Sequence, residues 1–151
     1  MKILSFLFIS FILAGFFVLP GSGWLNNFDE ASKIANDNHQ LMLLNFSGSD
    51  WCGPCIRLKK EIFDTKPFMA FAISNLVLIN ADFPRSKKNR LSEQQVKMNE
   101  SLADKFNKAG KFPLTLLITP TGKVIKEWDG LPDKGTEQFV QDIKVLCDAN
   151  K

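Results

Sequence analysis

Two short, nearly unbroken apolar runs, residues 41–46 and 76–81, are the strongest hydrophobic signals in the chain after residue 23. Runs of this length covered on both faces are characteristic of strands inside a parallel sheet. Between and around them the apolar period lengthens to that of helices. Residues 28–38 place Ala31, Ile34 and Ala35 on one face behind Asn27 or Asp29 as a cap. Residues 52–64 predict a second helix, with Ile56, Leu58, Ile62 and Phe63 on its inner side, and residues 66–73 a short helical turn. Ser92 with Gln95 three residues on is a capping box for a helix reaching about Phe106. Residues 114–119 and 123–128 form a hairpin around Pro120-Thr121-Gly122, and a last helix runs over 136–149. Helices before and between buried parallel strands, then a hairpin and a closing helix, make an α/β architecture with a central mixed sheet. No internal repeat or low-complexity segment interrupts it.

Residues 1–23 stand apart from this pattern. Lys2 supplies a small positive start, residues 3–19 are almost wholly apolar, and Pro20 is followed by Gly21-Ser22-Gly23, small residues suited to a signal peptidase. The expected organisation is a signal peptide over 1–23 and one domain over 24–151, with an uncleaved membrane anchor at 3–19 as the alternative. Either way the body of the protein is exported, to a periplasm or beyond.

Charge adds one local feature. The whole chain carries a formal +3, of which the N-terminal segment contributes only Lys2. Four basic residues, Arg85, Lys87, Lys88 and Arg90, crowd into six positions. Without them residues 24–151 are slightly acidic, which argues against a nucleic-acid-binding surface. The run reads as a solvated loop, with a docking patch for an acidic partner or a membrane surface as the alternative.

The chemistry lies in the cysteines. Cys52 and Cys55 fall where a strand ends and a helix begins. The first turn of a helix offers unbonded N–H groups and the positive end of the dipole, and both stabilise a thiolate, the reactive form of cysteine. Pro54 suits that turn because its missing N–H had no partner to lose. Cys147 is left over and falls on the apolar face of the last helix with Phe139, Ile143 and Leu146, a place for a small buried hydrophobe, with intermolecular pairing as the alternative. His39, the single histidine, sits at a helix–strand junction and reads as a surface or capping residue. Arg57, Lys59 and Lys60 read as solvated positions, and Phe106, Phe112 and Trp128 as core or rim.

Trp51-Cys52-Gly53-Pro54-Cys55 resembles the active-site motif of thioredoxins, and the longer stretch from Phe46 to Cys52 resembles the exported thioredoxin-like branch of bacteria. The resemblance covers most of the chain after residue 24. It implies a thioredoxin-like fold whose usual first strand is reduced to Trp24-Leu25, and a thiol–disulfide oxidoreductase with Cys52 and Cys55 as catalytic pair. Cys52, expected to be the more exposed, attacks a substrate disulfide, and Cys55 resolves the mixed disulfide. The resemblance also implies a thiol pKa of about 7. Gly53 and Pro54 form the active-site loop, and Trp51 covers the site. In Lys111-Phe112-Pro113-Leu114-Thr115 the proline is expected to be cis, with Phe112 and Pro113 binding substrate beside the cysteines; a plain turn proline is the alternative. No cofactor or metal is implied. Partners are disulfide-containing exported proteins and a membrane electron donor, since cytosolic reductases do not reach an oxidising compartment. The protein is expected to be a monomer.

One departure from the family concerns the strand leading into the motif. Many thioredoxins place a buried aspartate there, which assists proton transfer with the second cysteine; here the position falls at Asn45, which cannot exchange a proton as an acid does. Asp50 reads as a solvated loop residue, with a catalytic role beside Trp51 as the alternative. Two other classes compete with the enzyme reading: a copper- or zinc-handling module using Cys52 and Cys55 as soft ligands, and a redox-inert binding domain. Structural zinc asks for four ligands, and the sequence offers no others nearby.

Overall fold

A computed structural model describes residues 23–150. The segment read as a signal peptide thus lies, except for Gly23, outside the described residues. The elements in chain order are α1 (Phe28–Asp37), β1 (Leu41–Ser47), α2 (Gly53–Leu58), α3 (Lys66–Asn75), β2 (Leu76–Asp82), α4 (Glu93–Phe106), β3 (Leu114–Ile118), β4 (Val124–Asp129) and α5 (Thr136–Asp148). A wide π turn, Lys59–Phe63, continues α2, and a single 3-10 turn, Lys87–Asn89, lies between β2 and α4.

The sheet order is β2-β1-β3-β4. β1 runs parallel to β2, from Leu41 opposite Leu76 to Ser47 opposite Asp82, and antiparallel to β3; β3 and β4 form the hairpin. This is the mixed sheet expected. The reduced first strand is a single bridge: the Leu25 N–H donates to the Leu78 carbonyl (2.8 Å) and the Leu25 carbonyl accepts from the Asn80 N–H (2.9 Å). That stub partly covers the β2 edge. β4, the opposite edge, is mostly exposed and carries Lys126 and Glu127, charges that discourage pairing with another chain.

Every residue of β1 is buried, and alternate residues serve two different cores. Met42, Leu44 and Phe46 face one core with Val77, Ile79, Leu114, Leu116, Ala31, Ala35 and Leu102, under α1 and α4. Leu41 and Leu43 face the other with Leu58, Ile62, Phe63, Phe68, Phe139 and Ile143, under α2, α3 and α5. The second core is strongly aromatic: Phe63 meets Trp24 at 4.8 Å and Phe68 at 5.1 Å between ring centroids, and Phe139 meets Trp128 at 5.1 Å.

Several local expectations are corrected. The second helix is not one α-helix, and Ile56 is not on its inner side but 48% exposed. At roughly 100° per residue Ile56 lies nearly opposite Leu58. The wider π turn rotates less per residue, which keeps Ile62 and Phe63 on Leu58's side. The turn after Thr65 is a full ten-residue helix. The capping box of α4 is half formed: Ser92 Oγ accepts from the Gln95 N–H (3.2 Å), while the Gln95 amide donates to the Asn26 carbonyl and to Asn99 Oδ1, both at 2.8 Å. That tertiary use ties α4 to the segment before α1.

Candidate active site

β1 delivers the chain to the site and a tight turn redirects it. The backbone N–H groups of Trp51 and Cys52 both donate to the Gly48 carbonyl, at 3.2 and 2.9 Å. Gly48 has no alternative in this arrangement, because a Cβ there would stand 2.3 Å from the Trp51 indole. Cys52 is the N-cap of α2 and accepts from the Cys55 N–H through its sulfur at 3.2 Å. Pro54 occupies the first turn. Cys52 and Cys55 are joined in a disulfide with a Cα separation of 5.2 Å. The expected difference in exposure is absent, since both residues are 5% exposed. The Cys52 sulfur turns in along the helix start, held by the bond to Cys55 and by the Cys55 N–H.

Two aspartates fix the turn, and neither role was legible beforehand. Asp82, at the end of β2, accepts from Ser47 Oγ (2.9 Å), the Ser49 N–H (2.9 Å) and Ser49 Oγ. Asp50 is not a solvated loop residue. It accepts from the backbone N–H groups of Arg85 and Ser86 and from the Asn89 amide, all at 2.9 Å. These donors, the Arg85 N–H foremost, hold its carboxyl below the usual aspartate range. The basic run is correspondingly not a plain solvated loop. Its backbone is clamped to the active-site turn, and the Arg85 guanidinium lies 3.7 Å from the centre of the Trp51 ring. An Asp accepting from backbone N–H groups two or three residues into a loop is an ordinary device, but its partners here lie 35 or more positions away.

The Phe112–Pro113 peptide bond is cis, as the resemblance implied. Buried Asn107 braces the preceding turn, donating to the Lys111 carbonyl and accepting from the Lys111 N–H, both at 2.8 Å. Phe112 packs edge-on against Trp51 (5.5 Å) and Phe83 (5.4 Å), and Trp51 Nε1–H donates to the Phe83 carbonyl at 2.7 Å. Trp51 and the Phe112–Pro113 segment are therefore brought to the cysteine turn, and the Phe83–Arg85 stretch with them.

Behind Cys55 lies a cavity of about 220 Å3, lined by Asn45, Asn80, Ser47 and Ser49 on one side and Trp24, Phe63 and Lys59 on the other. Asn45 is 6% exposed; its amide donates to Asn80 Oδ1 (3.0 Å) and its Oδ1 accepts from Thr115 Oγ1 (3.2 Å). The position read as the usual buried acid thus carries a neutral, hydrogen-bonded amide pair. Cys147 is buried in the aromatic core of α5, as its spacing suggested. His39 is exposed and adopts a left-handed φ of 54° in the turn between α1 and β1. Among the described residues no group of three or more His, Cys, Asp or Glu is gathered to hold a metal ion.

A mixed sheet between helices, a Cys-x-x-Cys disulfide capping a helix and a cis proline after Phe112, which packs on Trp51 of the cysteine turn, define the class of thioredoxin-fold thiol–disulfide oxidoreductases. The chain belongs to the thioredoxin-like domain family, which it matches over residues 28–143. It is 30% identical over 118 residues to the disulfide bond reductase DsbH of Chlamydia pneumoniae, covering 78% of this chain and 69% of that one. It is 27% identical over 97 residues to the thioredoxin-related protein DsbJ of the same organism, covering 64% of this chain but 27% of that longer one. Among solved structures it superposes on a DsbH oxidoreductase with a TM-score of 0.75 and 28% identity, covering 83% and 84% of the two chains. A thioredoxin from Thermus thermophilus, at a TM-score of 0.61 and 12% identity over 82% and 86%, shares the fold alone. The protein is a thiol–disulfide oxidoreductase.

Proposed function

We propose that the protein reduces or isomerises disulfides of exported proteins, with Cys52 as attacking sulfur and Cys55 as resolving sulfur. The observation that carries this reading is the Cys52–Cys55 disulfide at the start of α2, directly after Trp51, on which Phe112 of the Phe112–Pro113 segment packs. In the dithiol form the Cys52 thiolate is stabilised by the Cys55 N–H and by the positive end of α2. It attacks one sulfur of the substrate disulfide; a mixed disulfide forms, and the substrate's other sulfur leaves as thiolate and takes a proton. Cys55, as thiolate, then attacks Cys52 Sγ, releasing the second substrate sulfur and closing the Cys52–Cys55 disulfide. Two electrons pass from the enzyme dithiol to the substrate. Substrate is received by Trp51, Phe112 and Pro113, while Gly53 and Pro54 shape the turn. With no exchangeable acid at Asn45, the proton of Cys55 passes to water in the cavity behind it, whose largely apolar wall carries Asn45, Ser47 and Asn80 among its polar groups.

Reduction is the favoured direction because Gly-Pro between the cysteines is the filling of reducing thioredoxins. Working in the periplasm or outside the cell, whether released or anchored by residues 3–19, the protein acts as a monomer recharged by a membrane electron donor. The test is the reduction potential of the pair, measured on the full-length protein by thiol counting in dithiothreitol and glutathione buffers. The expected value is near −270 mV, about that of thioredoxin. A value near about −120 mV, that of a strong oxidant, overturns the direction. Absence of any reversible two-thiol transition overturns the reading itself.

A further inference from the structure

A groove of about 400 Å3 runs alongside the active site rather than behind it. Trp51, Phe83, Phe112, Leu91 and Val96 line its apolar part, Arg85 and Arg90 its basic part, and the one acid in its wall, Asp82, has its carboxylate engaged by Ser47 and Ser49. Val96, in the first turns of α4, is 39% exposed, one of few large apolar side chains left uncovered among the described residues. The rim is charged without compensation. Among the described residues, none of Arg85, Lys87, Lys88 and Arg90 is within ion-pair distance of a carboxylate, and what sets them apart from the other unpaired lysines is their crowding into six positions beside the active-site turn. The one acid bonded to the basic loop, Asp50, is spent on backbone N–H groups and the Asn89 amide. It fixes the loop in place and leaves the cationic heads outward.

We infer that this groove is a selectivity site for the disulfide partner, taking an acidic segment with one bulky apolar side chain next to the reacting cysteine. The inference rests on the proposed disulfide exchange and names the class of substrate it acts on. The geometry provides each part of the fit. Trp51 and Phe112 belong both to the cysteine turn and to the groove wall, so a polypeptide whose sulfur meets Cys52 continues directly into the groove. The apolar floor offers a socket for one large side chain. The Arg85 guanidinium, stacked on Trp51, keeps its planar fork available to a carboxylate next to the residue that precedes Cys52. Positive charge with no internal partner attracts negative segments and speeds their encounter, an effect that salt weakens.

Two measurements on the full-length protein separate this inference from the reading beneath it. First, turnover of the uncharged hydroxyethyl disulfide reports on the exchange chemistry alone; its absence overturns the enzyme reading, whatever the groove does. Second, binding to the groove is read without any chemistry, by NMR shifts of the Trp51 Nε1–H and Arg85 signals. The probes are two cysteine-free peptides, Glu-Glu-Phe-Ser-Glu-Glu and Lys-Lys-Phe-Ser-Lys-Lys. The acidic peptide is expected to bind on the order of tenfold more tightly at low salt, with the preference falling at high salt. In the Arg85→Gln, Arg90→Gln variant the ratio between the peptides is expected to approach one. Equal binding of both peptides by the unaltered protein overturns the inference. So do shifts at Trp51 and Arg85 produced by phosphatidylglycerol vesicles and not by the acidic peptide, which assign the basic rim to a membrane surface.

Discussion

Asp50 shows how much a single side chain organises here. Its carboxylate gathers three donors from a loop that begins 35 residues later, and so sets where Arg85 stands over Trp51. Asp50→Ala removes all three acceptor contacts without touching a cysteine. Amide exchange at Arg85 and Ser86 is expected to accelerate by roughly tenfold or more, as for a segment released to local opening. The same clamp is sensitive to acid. Because the folded-state pKa is depressed, its contribution is present above the unfolded aspartate value and is lost as pH falls through the folded one. The protection of these two amides, taken relative to an unfolded chain at the same pH, is therefore expected to fall toward that of the alanine variant in strong acid, while staying level from pH 5 to 8. Asn45 makes the complementary point: a buried amide pair satisfies the sheet face behind Cys55 and withholds the acid that many thioredoxins keep there.

At the level of elements, the site rests on the packing of α5 against α3 and the π turn that continues α2. Phe139 of α5 lies 2% exposed among Phe63, Phe68 and Trp128, and Thr136 Oγ1 donates to the Glu61 carbonyl in the π turn (2.8 Å). Phe139→Ala empties a fully packed position, and the expected loss is about 3–5 kcal/mol. Val145 on the same helix is 57% exposed, so Val145→Ala is expected to stay within about 0.5 kcal/mol. Urea unfolding of the two variants, followed by tryptophan fluorescence, compares them directly. Equal midpoints would mean that α5 does not carry the aromatic core.

For the whole molecule the property to test is the proposed division of labour between the two sulfurs. On the proposed roles, Cys55→Ser leaves Cys52 able to form a mixed disulfide but removes the group that resolves it. Incubated with a disulfide-bearing protein such as insulin, this variant is expected to accumulate a reducible covalent adduct. The Cys52→Ser variant is expected to accumulate none, even though Cys55 and Cys147 remain. Non-reducing electrophoresis reads both results. An adduct formed equally by the two variants would reverse or dissolve the assigned roles.

The sequence alone determined the chemistry and the order of elements. Cys-Gly-Pro-Cys after a buried strand marks a redox turn, because a helix start stabilises thiolate wherever it occurs. Strand and helix periods are equally local, and the caps at Asn27 and Ser92 are visible as residue types. The cis bond before Pro113 was within reach only through family resemblance. What the tertiary structure decided are relations between distant segments. Asp82 and Asp50 bind the turn, Asn45 meets Asn80 across the sheet, and Arg85 lies on Trp51. No periodicity encodes these, since each depends on which strand lies beside which. Ile56 was misplaced for a related reason: a π turn shifts the helical phase, and its stabilisation comes from the packing of Ile62 and Phe63 rather than from a local residue pattern. Equal burial of Cys52 and Cys55 likewise follows from how the disulfide folds back along α2, a matter of three-dimensional closure that two intervening residues permit but do not dictate.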